Sequence, residues 1–295
     1  MSSTIYLVDA SPYIFRAYFS LPETMTGKAG TPVNAVYGFA HFLLRLIEGE
    51  AVTHLGLAFD KSLNSSFRNE FFPTYKAQRE LPPPLLEAQL NACQAIAEAL
   101  GIATFIDNRY EADDLIGALC QQLVPAGHKI VIVSSDKDLA QLVGEQVSLF
   151  DFAREERYGP AEVLAKFGVR PRQIADYLGL AGDSVDNIPG VRGIGKKTAA
   201  ALLGHFTDLE TLYADLDAVA ALPIRGARTL AEKLHAQRAE AFLSRRLATI
   251  ACEAPARADL EQLRLAGADP ARLDPLLEEL RFDRFRARVK HWKSS

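Results

Sequence analysis

The sequence predicts an α/β fold: a mainly parallel central sheet flanked by helices, followed by a smaller helical region. Three observations predict it. Lys129-Ile130-Val131-Ile132-Val133 is a β-branched apolar run bounded by Gly127 and by Ser134-Ser135, the pattern of a parallel strand buried on both faces. Two more apolar runs, residues 4–8 and 54–59, are each followed directly by an aspartate, Asp9 and Asp60. Beyond Pro160 the apolar spacing becomes wholly helical.

Taken in order, residues 4–8 form a first strand, and Asp9 behind it is on its own equally well explained as a helix N-cap. Residues 54–59 repeat the arrangement with Asp60. From Lys61 to Leu90 the character changes. Arg68, Lys76 and Arg79 alternate with Phe67, Phe71, Phe72 and Tyr75, and Pro82-Pro83-Pro84 interrupts them. Such a stretch suits a mobile, basic, aromatic-bearing segment over a site, gripping phosphates and stacking on bases. On these residues alone, an irregular surface loop with its aromatics tucked into the core is the slightly better reading. Residues 86–100 read as an amphipathic helix and 103–106 as a strand. Residues 111–123 read as a helix with Leu115, Leu119 and Leu123 on one stripe, and 147–150 as a strand at the sheet edge.

The chemistry concentrates between Arg109 and Leu139. Glu111, Asp113 and Asp114 fall in the first turn of a helix, where the macrodipole alone would account for them. Glu111 and Asp114, three apart, share a face. Asp136 and Asp138 sit just past a strand's carboxyl end, where open α/β sheets place their ligand crevice. With Asp9 and Asp60 that makes seven carboxylates at compatible positions. Two such groups about 4 Å apart repel by roughly 4 kcal/mol at an effective dielectric near 20, so convergence requires a cation. Ligation by oxygen alone, with no His or Cys nearby, points to Mg²⁺ or Mn²⁺ rather than zinc.

Residues 171–180 and 195–206 read as two helices. Between them lie Asp183 and Asp186, the turn Pro189-Gly190, and Gly193-Ile194-Gly195-Lys196-Lys197. Glycines, free backbone N–H groups and two lysines at a helix start are the arrangement that binds a phosphate.

At 295 residues the chain can bury a full core and a smaller second one, and 48% apolar and 24% charged residues are those of an ordinary globular protein. Cys93, Cys120 and Cys252 have no paired spacing and read as free thiols of a reducing compartment. The start, MSSTIYLVDA, lacks the features of a signal peptide, and no run reaches the roughly 20 apolar residues of a membrane helix, so a cytoplasmic protein is expected. A net charge of −4 argues against a nucleic-acid binder until its distribution is considered. Arg192, Lys196 and Lys197 meet no acidic residue between Pro189 and His205. Six basic residues face Glu232 and Glu240 between Arg225 and Arg246, and six face only Asp283 between Arg281 and Lys293. A solvated helix face is the default for these last two runs.

Five segments together resemble the 5′ nuclease, or flap endonuclease, superfamily, nearest to the 5′–3′ exonuclease domain of bacterial DNA polymerase I and its free-standing relatives. They are LVDASPYIFRAYFSLP, AFDKSLNSSFRNEFFPTYKAQRELPPPL, YEADDLIGAL, SSDKDLAQLV and GLAGDSVDNIPGVRGIGKKTAA, in order across roughly residues 4–205. The resemblance implies a PIN-like 5′ nuclease fold with a helical arch at about 61–90 on a nuclease domain spanning 1–170. It places a helical DNA-binding region at 171–295, with a helix–hairpin–helix at about 172–206 that often carries K⁺. It carries metal ligation onto Asp9, Asp60, Glu111, Asp113, Asp114, Asp136, Asp138, Asp183 and Asp186, and catalytic cations onto Lys76 and Arg79. Arg16, Tyr75, Arg192, Gly193, Gly195, Lys196 and Lys197 are the expected DNA contacts. The implied activity is two-metal hydrolysis of DNA phosphodiesters near a 5′ end or 5′ flap, by a monomer. The chain stops at Ser295 with no polymerase module, which suggests a free-standing nuclease.

Overall fold

β1 (Thr4–Asp9) lies in the middle of a six-stranded sheet. On one side it pairs in parallel with β2 (Leu55–Asp60), which pairs with β3 (Ala103–Asp107). On the other it pairs in parallel with β4 (Lys129–Val133), which pairs with β5 (Val147–Asp151). The computed structural model describes residues 2–61, 66–79, 82–224 and 226–293. The chain builds β1, β2 and β3 outward, then crosses back to lay β4 on the opposite side of β1, giving the order 3-2-1-4-5-6. The switch point, where an open α/β sheet opens its crevice, therefore lies between the carboxyl ends of β1 and β4.

The expected edge position of residues 147–150 is corrected. β6 (Glu156–Tyr158) folds back antiparallel onto β5 and takes the edge. Its three residues, Glu-Arg-Tyr, are too short and polar to announce a strand.

Strand residues alternate between two cores, as a pleated strand buried on both faces requires. Tyr6, Val8, Val131 and Val133 face α2 (Asn34–Gly49), α4 (Pro84–Ala99) and α14 (Pro270–Leu280). Ile5, Leu7, Ile130 and Ile132 face α5 (Ala112–Leu123). At about 1.5–3 kcal/mol for each fully buried aliphatic side chain, these strands are held by burial more than by pairing. The second core continues without a break into the helical region, through α7 (Ile174–Ala181), α8 (Lys196–His205) and α12 (Arg238–Ala248). Among the described residues no helix is long and apolar enough to cross a membrane.

The proposed arch is only partly described, since residues 62–65 and 80–81 lie outside the described residues, as does Arg225 of the basic run. What is described is folded down rather than held aloft. α3 (Arg68–Phe71) is one turn of helix, Phe71 and Phe72 pack on the core, and Tyr75 is buried in it. The plainer reading of the aromatics holds for these rings.

Candidate active site

Each acidic side chain is placed by the end of an element. Asp9 and Asp60 are the last residues of β1 and β2. Asp9 accepts a hydrogen bond of 2.8 Å from the buried Ser134 hydroxyl, just past β4. Asp60 accepts one of 2.6 Å from the Ser11 hydroxyl and one of 2.8 Å from the Ala112 N–H, at the amino end of α5. Asp113 lies in the first turn of the same helix. Asp136 caps its own loop, accepting the Asp138 N–H at 2.9 Å, and its own N–H donates to Ser134 at 3.0 Å.

These groups feel one another. Burial, then the charges of Asp60 and Asp136, raise the Asp9 carboxyl well above the usual range. Burial, then Asp136, Asp9 and Asp60, do the same for Asp113. Burial also raises Asp60, against the opposing charge of Lys76. Asp138 is pushed up to about 8 by burial and by Asp136, with Asp186 and Asp183 adding to it and Lys137 opposing. The sequence thus brings Asp9, Asp60, Asp113 and Asp136 together at the switch point, with Asp138, Asp183 and Asp186 alongside.

Glu111 borders the cluster. It accepts hydrogen bonds from Lys76, from Arg68 at 2.8 Å and from the Tyr75 hydroxyl at 3.2 Å. Asp114 does not belong to the cluster, and its expected role as a metal ligand is corrected. It is wholly buried, and its two oxygens accept from both terminal nitrogens of Arg68 at 2.8 Å, from the Ala251 N–H at 2.8 Å and from the Glu111 N–H at 3.1 Å. No lone pair is left for an ion. Tyr75 is corrected as well: its ring is buried, with the Lys76 ammonium 5.1 Å from its centroid, so it offers no face to a base.

Lys76 and Arg79 reach the cluster's border through ion pairs. Lys76 bonds Glu111 and stands 3.9 Å from Asp186, and Arg79 bonds Asp186. Burial works to lower the Lys76 ammonium, yet Glu111, Tyr75 and Asp186 hold it well above its ordinary value. Lys76 has a left-handed backbone (φ 55°), which costs on the order of 1 kcal/mol or more and persists only where surroundings enforce it. The enforcing contacts come from the hairpin. The Lys76 N–H donates to the Asp186 carbonyl at 3.1 Å, and the Asn187 amide donates to the Thr74 carbonyl at 2.6 Å.

The hairpin runs between α7 and α8. Asp183 and Ile188 exchange backbone bonds of 2.9 and 2.7 Å. Gly182 and Gly190 cross so closely that a Cβ on Gly190 would lie 2.3 Å from the Gly182 nitrogen. Val191 and Ile194 are buried, whereas Arg192, Gly193, Gly195, Lys196 and Lys197 are all exposed around the amino end of α8, which has no side-chain cap. Arg16 is exposed on α1 (Ser11–Ser20), apart from this group.

Four contributors escaped the sequence reading: Ser11, Ser134, Lys137 and the structural use of Arg68. Lys137 was visible between Asp136 and Asp138. The serines carried no signal beyond lying near aspartates.

The donor set fits divalent ions. It is all oxygen, its members raise one another's affinity for protons, and Asp138 Oδ1 is buried without a hydrogen-bond partner. Among the described residues no three acidic, histidine or cysteine side chains form a ready-made cage, and lysine or arginine rests on Glu111, Asp183 and Asp186.

Two family models divide the chain: "5′-3′ exonuclease, N-terminal resolvase-like domain" matches residues 4–168, and "5′-3′ exonuclease, C-terminal SAM fold" matches 169–271. The chain belongs to the 5′–3′ exonuclease family. It is 40% identical over 279 residues to DNA polymerase I of Pseudomonas aeruginosa, covering 94% of this chain and 30% of that one. It is 37% identical over 284 residues to DNA polymerase I of Caldicellulosiruptor bescii, covering 94% and 32%. The chain spans about a third of the length of these curated relatives. T5 5′-exonuclease with divalent metal ions (zinc) bound has the same fold, with a TM-score of 0.69, 20% identity, and coverage of 95% of this chain and 98% of that one. So does the catalytic core of Rad2 in complex with DNA substrate, with 0.62, 14%, and coverage of 98% and 92%.

Proposed function

We propose that this chain is a divalent-metal-dependent 5′ nuclease that hydrolyses DNA phosphodiesters near a 5′ end or a 5′ flap junction. One observation carries the reading: Asp9, Asp60, Asp113 and Asp136 converge at the sheet's switch point, and none of them forms a salt bridge among the described residues. Like charges that are buried or half-buried, with no cation bonded to them, call for one from outside. Asp9, Asp60, Asp113 and Asp136 would hold one Mg²⁺ or Mn²⁺ ion, and Asp138, Asp183 and Asp186 a second, with Glu111 at their border. When bound, such ions supply Lewis acidity at the phosphoryl oxygens and lower the pKa of water.

The chain's own residues do the rest. Ser11 and Ser134 fix the rotamers of Asp60 and Asp9. Lys76 and Arg79, at the cluster's rim, are positioned to stabilise charge that develops on a phosphate as it is attacked. Lys196, Lys197, Arg192 and the free N–H groups opening α8 would hold the duplex backbone without reading its sequence. Support for DNA as substrate comes from fold relatives solved with it, the T5 flap endonuclease with DNA and metal ions and the Rad2 core.

The test is a labelled 5′-flap duplex incubated with and without Mg²⁺, using wild type, Asp136→Ala and Asp138→Ala. Cleavage should require the ion and vanish in both variants, while gel-shift affinity is kept or tightened as phosphates lose a repulsive neighbour. Metal-independent cleavage, or wild-type turnover in either variant, would refute the assignment.

A further inference from the structure

Salt bridges enter the acidic cluster unevenly. Among the described residues they fall on Glu111, Asp138, Asp183 and Asp186, and they come from Arg68, which also clamps Asp114, and from Lys76, Arg79 and Lys137. Lys76 and Arg79 arrive from the segment after α3 and already have a proposed use. Lys137 has none. It lies between Asp136 and Asp138 in the loop after β4, and its ammonium reaches across to the hairpin. There it bonds the Asp183 carboxylate and stands 3.6 Å from Asp138 Oδ1, the buried oxygen that has no hydrogen-bond partner. The side chain is about one-third exposed (35%), so its head can swing to water without unfolding anything.

An ammonium and a divalent ion compete for these carboxylates, since each is drawn to the same negative charge and repels the other. We infer that Lys137 is a built-in counter-cation for the Asp138–Asp183 half of the cluster, one that a divalent ion must displace, so that it sets how weakly this half binds metal. The inference rests on the proposal that these carboxylates hold an ion. Lys137 acts as a positioning residue: its contacts are with carboxylates that hold metal. Its placement also has a structural sense. Asp138 comes from the loop after β4 and Asp183 from the helical region, and a cation between them joins the two when no stronger one does. Displacement frees a positive head group on a side chain anchored one residue from two cluster aspartates. Metal binding at the two halves therefore differs in kind: Asp9, Asp60, Asp113 and Asp136 bind without displacing any cation that bonds them.

Mn²⁺ titrations of the full-length chain, read by the electron paramagnetic resonance of the free ion, test this without any cleavage assay. In wild type a tighter and a weaker class of binding should be resolved. Lys137→Gln and Lys137→Met should tighten the weaker class about tenfold or more, because the displaced charge is gone. The tighter class should shift less, and Lys137→Arg should stay near wild type. Thermal midpoints measured alongside confirm that each variant is folded. An unchanged weaker class in both Lys137→Gln and Lys137→Met would overturn the inference, and so would its loss, which would make Lys137 a scaffold for the site. If instead wild type binds no Mn²⁺, or Asp138→Asn leaves the weaker class intact, the assignment of metal to this half has failed.

Discussion

Replacing Arg68 by Met should destabilise the protein far more than losing one surface charge would. Arg68 is buried (3% exposed) against a wholly buried Asp114. All five of its N–H groups are used: Nε to the Leu247 carbonyl, Nη1 to Glu111 and Asp114, Nη2 to Asp114 and the Thr249 carbonyl, each at 2.8 Å. Methionine matches the apolar stem and supplies none of these. Asp114 would keep only the N–H groups of Ala251 and Glu111. Removing one partner of a buried ion pair costs about 3–5 kcal/mol, and each orphaned carbonyl about 1 kcal/mol or more. Against a typical total of about 5–15 kcal/mol, that is a large share. Urea unfolding followed by circular dichroism measures it directly. Asp114→Asn in the Arg68→Met background removes the stranded charge, so the double variant should recover about 2 kcal/mol or more relative to the sum of the single ones. An Arg68→Met protein within about 1 kcal/mol of wild type, or strictly additive changes, would refute the clamp.

Three further outcomes can be checked. Lys196→Ala with Lys197→Ala should weaken duplex binding for all sequences equally and flatten the plot of log K against log salt by about 0.9 for each phosphate no longer neutralised, whereas an unchanged slope would leave them a solvated helix face. Lys76→Ala should lower kcat and kcat/KM together by roughly 10²-fold, with a smaller loss for Arg79→Ala; a rise in KM alone, with wild-type single-turnover rates, would make Lys76 only an attractor of DNA. In excess EDTA the raised carboxyls of Asp9, Asp60, Asp113 and Asp138 (the last to about 8) mean that the folded state binds more protons than the unfolded one. Stability of the chelated protein should therefore fall as pH rises from about 4 toward about 8, and the gain in melting temperature from Mg²⁺ should grow over the same range. A chelated protein that stabilises with rising pH would contradict the burial of these groups.

The sheet was legible because its signal is local. Each parallel strand is a short apolar run, and the aspartates ending β1 and β2 marked the crevice end without any knowledge of pairing. β6 was not legible, since three polar residues gain their strand character only from Leu149 and Phe150 beside them. The described part of the 61–90 segment was legible only as two competing readings, for a related reason. Alternating aromatic and basic residues look alike whether they face solvent or core, and only contact with α5 and the hairpin turns Arg68 and Tyr75 inward.

Asp113 and Asp114 show where sequence reading of the site stopped, and also that it had the means to go further. Successive residues on an α-helix point about 100° apart, so two adjacent aspartates cannot both face one ion at the head of α5. The sequence already placed Glu111 and Asp114 on a common face, and that is the face the structure uses for the capping box and for Arg68. Asp113 is left to turn toward Asp9, Asp60 and Asp136. Helical phase alone would have separated the residue that meets the cluster from the residue that holds the helix. Nothing local would have named Arg68 as the partner, because that pairing crosses 46 positions and closes only when the segment after β2 folds back onto α5. Within one helix turn, then, one carboxylate serves charge at the crevice and its neighbour serves the frame that keeps the crevice open. Asp113→Asn should accordingly impair metal binding at little cost to folding, and Asp114→Asn should impair folding first.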